Sequence, residues 1–429
     1  MVYSGWVKSC INKQTATKVC CKSRRILMQS FLTFLKEEAE AEGAKLKHIH
    51  HAEDRPLFHG AKGFEHAVAA LKHAHELTKS GGNSSHLTMK YDGSPSIVFG
   101  RHPENGKFFV ASKSAFNKKP KINYTHKDIE KNHGHAPGLV EKLHAALDHL
   151  KKVTPKTGVY QGDLMHSGTD VKEEKGGKAS FTPNTITYTA SGDEAEKVKR
   201  SKVGIVTHTQ YQGKTIDDMK ADPHPDLHNF GTHPDVWQKS PNMDTKQVHY
   251  SEADQEKFNN ELDAADRIHQ AHKNKMYADV APHAGETGHL ATYINHTVRT
   301  DEVPSADGLK KHIESVHKKA LAGKLKKMKT PAGSSRAEST SNASLKSHLE
   351  HIDKHKESYE AILRMHRHLQ NAKGVLVDTL EQHTGGLEHH IDGKPTGPEG
   401  FVVNHAGEPT KLVNRKEFAK ANLLKVRKK

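Results

Sequence analysis

The sequence predicts an α+β fold in which a strand-rich body is interrupted by a long, mainly helical insertion. Three observations lead there. Short apolar runs separated by turn residues concentrate in residues 86–213 and return only at 397–415. Between them, over roughly 252–277, 307–328 and 343–383, apolar residues recur at helical spacing. An apolar fraction of 34% in 429 residues is low for one large core, which favours a moderate body carrying polar helical parts.

The first 27 residues hold all three cysteines, Cys10, Cys20 and Cys21, and six of the chain's Lys and Arg residues without one acid. Neither a disulfide framework nor a Cys-based zinc site can therefore hold the body. This opening reads as a basic extension ahead of Met28, with a targeting peptide or a nucleic-acid arm as alternatives. Residues 28–80 read as helices, with Phe64, Val68 and Leu71 on one face of the second. "LTMKYDGSPSIVFG" (87–100) has hairpin grammar, an apolar run on each side of an Asp-Gly turn signal. "PGLVEKLHAALDHLKKV" spaces Leu139, Leu143, Ala146, Leu147 and Leu150 as a helix behind Pro137. Strands follow at 157–167, 185–190 and 202–211, and 28–213 is expected to form the first part of the body.

Residues 214–395 read as the insertion, with "TPAGSSRAESTSNAS" near 330–343 a flexible linker by composition. Residues 396–429 are expected to supply the closing strands. The 36 histidines are scattered, with pairs in "HIHH" (48–51) and "HGH" (133–135) but no two clean ligand pairs; solvated surface histidine is the expectation. A net charge of +15 and a pI near 9.4 favour a polyanionic partner, with solubility as the plain alternative. No apolar run approaches the ~18–20 residues that span a bilayer, so a soluble cytoplasmic protein without a membrane partner is expected (host cytoplasm if viral).

Lys90 raises the chemical question, because a strand lysine is ordinarily a solvated edge residue. Its company is distinctive in order: "KYDG" (90–93), the basic "VASKSAFNKK", "VYQGD" ending at Asp163, "EGFVV" from Glu399, and "KLVNRKEF" from Lys411. In this order the motifs resemble the covalent nucleotidyltransferase superfamily of RNA ligases, DNA ligases and mRNA-capping enzymes. The closest likeness is to phage-type RNA ligases.

The resemblance implies a ligase-type adenylation domain of antiparallel sheets and helices. Lys90 would attack the α-phosphate of ATP, form a lysyl-AMP and release pyrophosphate. The AMP would pass to a 5′-phosphate end, which a 3′-hydroxyl then seals. Glu399 would help bind Mg2+ and orient the lysine, and Asp163 would contact the nucleoside or the metal. Lys411 would neutralise the α-phosphate, Lys113 would stand where the family carries a ribose- or phosphate-contacting Arg, and Tyr188 (or Tyr211) would stack on adenine unless it serves core packing. Asp92 and Gly93 would shape the turn that aims the nucleophile. A free lysine amine has a pKa of about 10.4, so such a nucleophile needs burial or nearby cations to expose its lone pair.

Three departures stand out. Asp163 occupies a position usually held by Glu. Val413 replaces the second lysine of the fifth motif, with Arg415 and Lys416 close behind. The interval from Asp163 to Glu399 is far longer than the family needs. Too few residues follow Lys411 for the C-terminal oligonucleotide-binding barrel of DNA ligases, which favours RNA over DNA as partner. Two alternatives stay open: a nucleotidyltransferase with a non-nucleic-acid acceptor, and a nucleic-acid-binding or scaffolding protein on a degenerate ligase fold.

Overall fold

A computed structural model of the chain describes residues 49–285, 287–384 and 386–415. The expected 1–27 extension, the helix start at 28–48 and the chain from Lys416 onward lie outside the described residues. After a short 3-10 turn (Ala52–Asp54), helix α1 (Arg55–Ser80) runs to β1 (Asn83–Lys90), β2 (Ser96–Arg101) and β3 (Phe108–Ala111). Helix α2 (His126–His133) opens on a Thr125–Asp128 capping box, and α3 (Pro137–His149) on Pro137, whose missing N–H costs nothing in a first turn. The body continues with β4 (Val159–Ser167), β5 (Lys172–Glu173), β6 (Ala179–Phe181), β7 (Thr187–Ala190), α4 (Gly192–Arg200), β8 (Val203–Gln212), β9 (Lys220–Asp222), β10 (Val236–Lys239) and β11 (Asn242–Asp244). Helices α5 (Glu252–His272), α6 (Met276–Val280), α7 (His289–Thr300), α8 (Ala306–Leu325), α9 (Pro331–Lys354) and α10 (Lys356–Glu381) precede β12 (Leu387–Ile391), β13 (Lys394–Pro395), β14 (Gly400–His405) and β15 (Glu408–Leu412).

The strands form three sheets: β11-β1-β14-β15, β10-β8-β4-β2-β3 with β9 on β8, and β13-β12-β7-β6-β5. Their ladders are antiparallel except β10 on β8. The expected α+β class with antiparallel sheets is what the structure has.

Two expectations need correction. Strands β1 and β2 are not a hairpin: β1 pairs with β11 and β14, whereas β2 pairs with β3 and β4 in another sheet. The "DGSP" segment is a crossover between sheets, stitched to β4 by Ser94 N–H to Leu164 O (2.9 Å) and Leu164 N–H to Pro95 O (3.0 Å). Nor is 214–395 wholly an insertion, since β9–β11 and β12–β13 complete sheets of the body. Strands of two to five residues were too short for a periodicity reading.

The helical stretch is not a separate lobe either. Helix α10 buries Tyr359, Ile362, Leu363, Met365, Leu369, Val375, Leu376 and Leu380 in one continuous core with Phe64 and Leu71 of α1 and with Phe401, Val403 and Leu412 of the closing strands. Each such fully buried side chain contributes roughly 1.5–3 kcal/mol of transfer free energy. The same helix carries Lys373, which donates to Glu53 Oε1 at 2.5 Å. Glu53 is fully buried and also lies 3.7 Å from Arg415 Nε. Arg415 in addition pairs with Asp54, and His366 Nε2 lies 2.9 Å from Asp54 Oδ1.

The stretch expected to be a linker is helix α9. Thr330 Oγ1 accepts from Gly333 N–H at 3.2 Å and Pro331 occupies the first turn, a start signal masked by the Ser- and Ala-rich composition that follows. Helices α8 and α9 run antiparallel, pinned by Lys310–Asp353 (2.6 Å) and by His317 Nε2 to Ser341 O (2.7 Å). Buried residues occur only at the root of the pair, Ala306, Leu309 and Ile313 on α8 and Ile352 on α9. The outer turns form a solvated arm bearing exposed Lys318, Lys319, Lys324, Lys326, Lys327, Lys329 and Arg336.

Many histidines are also not where expected. His75, His133, His166, His269, His283, His366 and His389 are buried. Burial holds His166, His366 and His389 down to about 4, so the His366–Asp54 contact is a hydrogen bond of a neutral ring. A histidine depressed in the folded state is protonated first in the unfolded chain, so stability is full above about pH 6.5 and falls as pH drops toward 4. Each contributes a slope of up to about 1.4 kcal/mol per pH unit. Urea midpoints measured between pH 7.5 and 5 should therefore fall steadily on acidification; a midpoint flat over that range would rule out neutral buried histidines.

Candidate active site

Lys90 ends β1, opposite Gly400 of β14. The next rows of that sheet align Thr88 with Val402 and Val402 with Lys411. Leu87, Met89, Phe401, Val403 and Leu412 point into the core. Side chains alternate across a strand, so Thr88, Lys90, Val402 and Lys411 share the opposite face. Lys90 Nζ forms an ion pair with Glu399 Oε2, the two side chains being 30% and 21% exposed.

Asp163 arrives from the six-stranded sheet, where β4 places it between Ser96 of β2 and Val206 of β8. The crossover brings the two sheets together there. A Cβ on Gly93 would lie 2.5 Å from Asp163 Cβ and 3.0 Å from Met165 Sδ, so only glycine allows this approach. Burial opposes ionisation of Asp163, but His208, Lys90 and the Ser96 hydroxyl outweigh it and hold the carboxyl below its ordinary value. Glu399 goes the other way. Burial raises it, against Lys90, and Asp92 and Asp163 add to the rise. The site thus pairs one carboxylate kept ionised with one inclined to take a proton.

Asp92 is buried and fully engaged by the protein. Its carboxylate accepts from Thr185 N–H (2.5 Å), Ile186 N–H (2.9 Å) and Asn184 Nδ2 (2.8 Å). Its own N–H donates to Tyr188 Oη at 2.7 Å. Tyr188 is 1% exposed, between Phe181 and Tyr91; its ring is covered by protein, which corrects the adenine-stacking expectation. Tyr211 is likewise buried, its hydroxyl donating to Gln161 Oε1 at 2.5 Å while Gln161 Nε2 donates to Ser96 Oγ at 2.9 Å. Lys113 is exposed just beyond β3, on the edge of the six-stranded sheet. Arg415 is held by Asp54 and Glu53, so it does not supply the second cation that the resemblance implies where Val413 stands. Val413 flanks Gly400, the residue opposite Lys90.

His208 is the residue that sequence reasoning missed. Gly162 pairs with Thr207 and Gln161 with Thr209, leaving His208 as the extra residue of a β-bulge. Bulges re-aim side chains, and this one puts His208 Nε2 at 3.5 Å from Asp163 Oδ1. The alternation in "TITYTA" and "KVGIVTHTQY" marks strands but carries no sign of a bulge. A cavity of about 720 Å³ lined by Ser85, Thr207, His224 and Lys239 lies toward the start of β1 and does not include Lys90.

Two carboxylates beside one lysine suit a hard divalent ion, which typically binds one or two carboxylates and completes its shell with water and phosphate. Asp163 and Glu399 are the residues that would hold it. No helix among the described residues is long and apolar enough to cross a membrane. No curated protein and no solved structure matches the chain. Residues 46–428, which include every residue of this site, match the family described as Family of unknown function (DUF6267), and the chain belongs to that family.

Proposed function

We propose that this protein is an ATP-dependent polynucleotide ligase, with RNA as the favoured substrate, working through a lysyl-AMP at Lys90. The observation that carries the reading is convergence: Lys90, Asp163 and Glu399, far apart in sequence, come together where two sheets meet, with Lys411 two strands from Lys90 on the same sheet face. In the first step the Lys90 amine forms a P–N bond to the α-phosphorus as the P–O bond to pyrophosphate breaks. Glu399, hydrogen-bonded to that amine, is placed to take its proton. Lys411, on the same sheet face, offers positive charge to the phosphate, and Lys113 offers a second charge at the periphery. Bound Mg2+ would add charge neutralisation on the leaving pyrophosphate.

The test is incubation with ATP labelled at the α-phosphate and Mg2+, followed by a denaturing gel. A covalent band that is stable to denaturation and reversed by added pyrophosphate supports the reading. A folded protein that takes no label under varied nucleotides and metals shifts the assignment to a binding protein on a degenerate ligase fold, the reading that Val413 and the sequestered Arg415 favour. Transfer of label to a protein or small molecule, but not to 5′-phosphorylated RNA, would identify a different acceptor.

The α8–α9 arm supports a nucleic-acid partner, since its outer turns present seven exposed cations and bury nothing. Replacing Lys318, Lys319, Lys326 and Lys327 by Ala should weaken binding to single-stranded RNA irrespective of sequence. It should flatten the log K against log salt slope by about 0.7 for each phosphate that the variant no longer neutralises. An unchanged slope would show that the arm is only a solvated face.

A further inference from the structure

The histidine-rich composition becomes a specific arrangement at the root of the arm. His283 ends a 3-10 turn after α6, His289 begins α7, and His348 lies on α9. Their ring centroids are 4.8 Å apart for His283–His348, 5.2 Å for His289–His348 and 5.5 Å for His283–His289. Three imidazoles sharing one tetrahedral ion at Zn–N distances of about 2.0–2.1 Å have ring centres roughly 5 Å apart. We propose that His283, His289 and His348 form a binding site for a late first-row divalent cation of the zinc class, with the fourth position left to water. The inference does not depend on the ligase reading.

Two further observations carry it. His283 is 1% exposed and its Nδ1 is buried without a hydrogen-bond partner, a state that native proteins rarely leave unexplained. The neighbouring histidines that could compete are engaged elsewhere: His351 Nε2 with Asp279 O at 2.8 Å, His317 Nε2 with Ser341 O at 2.7 Å.

The set formed by Glu53, Asp54 and His366 makes the contrast. Among the described residues that set alone already has three ligand atoms within 4.8 Å of one another, but Lys373 and Arg415 supply its positive charge. The imidazole trio has no cationic side chain among it. A half-turn of a ring about χ2 exchanges carbon for nitrogen and leaves the centroid in place, so the spacing of the centroids is the geometry that bears on the site. Neutral imidazoles without thiolates or carboxylates suit zinc, nickel, cobalt or copper rather than magnesium or calcium. Such an ion would tie α9 to α7 and fix the direction of the arm.

The test uses the full chain, stripped with a chelator and titrated with Co2+ as a spectroscopic probe, then with Zn2+. Expected are one tight Co2+ per chain with the intense visible absorption of four-coordinate cobalt, its displacement by Zn2+, and a metal-dependent rise in Tm. His289→Gln and His348→Gln, both at half-buried positions, should each weaken the site by at least roughly 100-fold with unchanged circular dichroism. His126→Gln, from the separate His126–His144 pair with centroids at 4.6 Å, should not. Weak, pale, multiple Co2+ uptake, or a tight site that survives His348→Gln, would overturn the proposal in favour of scattered surface histidines.

Discussion

Lys90→Arg is expected to leave the fold intact and to remove nucleotide-dependent labelling, a loss of at least about 10³-fold in the adenylylation rate. The substitution separates two roles that alanine would confound. Arginine can keep the ion pair with Glu399, so the sheet edge and its charge balance survive. Its guanidinium stays protonated at any working pH and offers no lone pair to phosphorus. Glu399→Gln should be milder, slowing the step by about 10²–10⁴-fold through loss of the proton acceptor. Parent-like labelling of Lys90→Arg would move the nucleophile elsewhere and with it the whole reading of this site.

The largest effect on stability is expected from Lys373→Met. Glu53 is fully buried and Lys373 nearly so, with side-chain exposures of 0% and 3%. Burial opposes the charge on Glu53, but Lys373 and Arg415 more than offset it and hold the carboxyl well below the usual range. Removing one partner strands a carboxylate in the core, which typically costs about 3–5 kcal/mol. A urea titration at pH 7 should show that loss. The double variant Glu53→Gln, Lys373→Met should recover much of it, because the cost lies in the unpaired charge and not in the missing pair. The deficit of the single variant should also shrink in acid, as Glu53 protonates. A single-variant loss below about 1 kcal/mol would mean that water or Arg415 already satisfies Glu53.

Much of this was legible from local pattern. The α+β class, the helices at 252–277 and 343–383, and the residues now found around Lys90 follow from spacing and from motifs whose order survives a long interruption. What was not legible depends on partners distant in sequence. "DGSP" between apolar runs is a turn signal in any local reading; that β1 instead joins β14 is decided by a strand more than 300 residues away. The partners that hold the Asp92 carboxylate, Asn184, Thr185 and Ile186, are invisible from position 92. Composition marked Thr330 onward as a linker, although Ser and Ala permit the close helix pairing that α8 and α9 adopt. His208 depends on a register slip between two strands, which no single strand encodes.

The pairing of β1 with β14 also has a consequence in time. Lys90 and Glu399 are 309 residues apart, and at the ribosome's rate of ~5–20 residues per second the partner strand emerges roughly 15–60 s after β1. Through that interval the strand that carries Lys90 is a nascent edge with open hydrogen-bonding groups, and the Lys90–Glu399 pair does not yet exist. On the proposed ligase reading, reactivity toward a nucleotide would be acquired late in synthesis and fragments cut short before Glu399 would be inert, while their bare β1 edge would invite pairing with another chain.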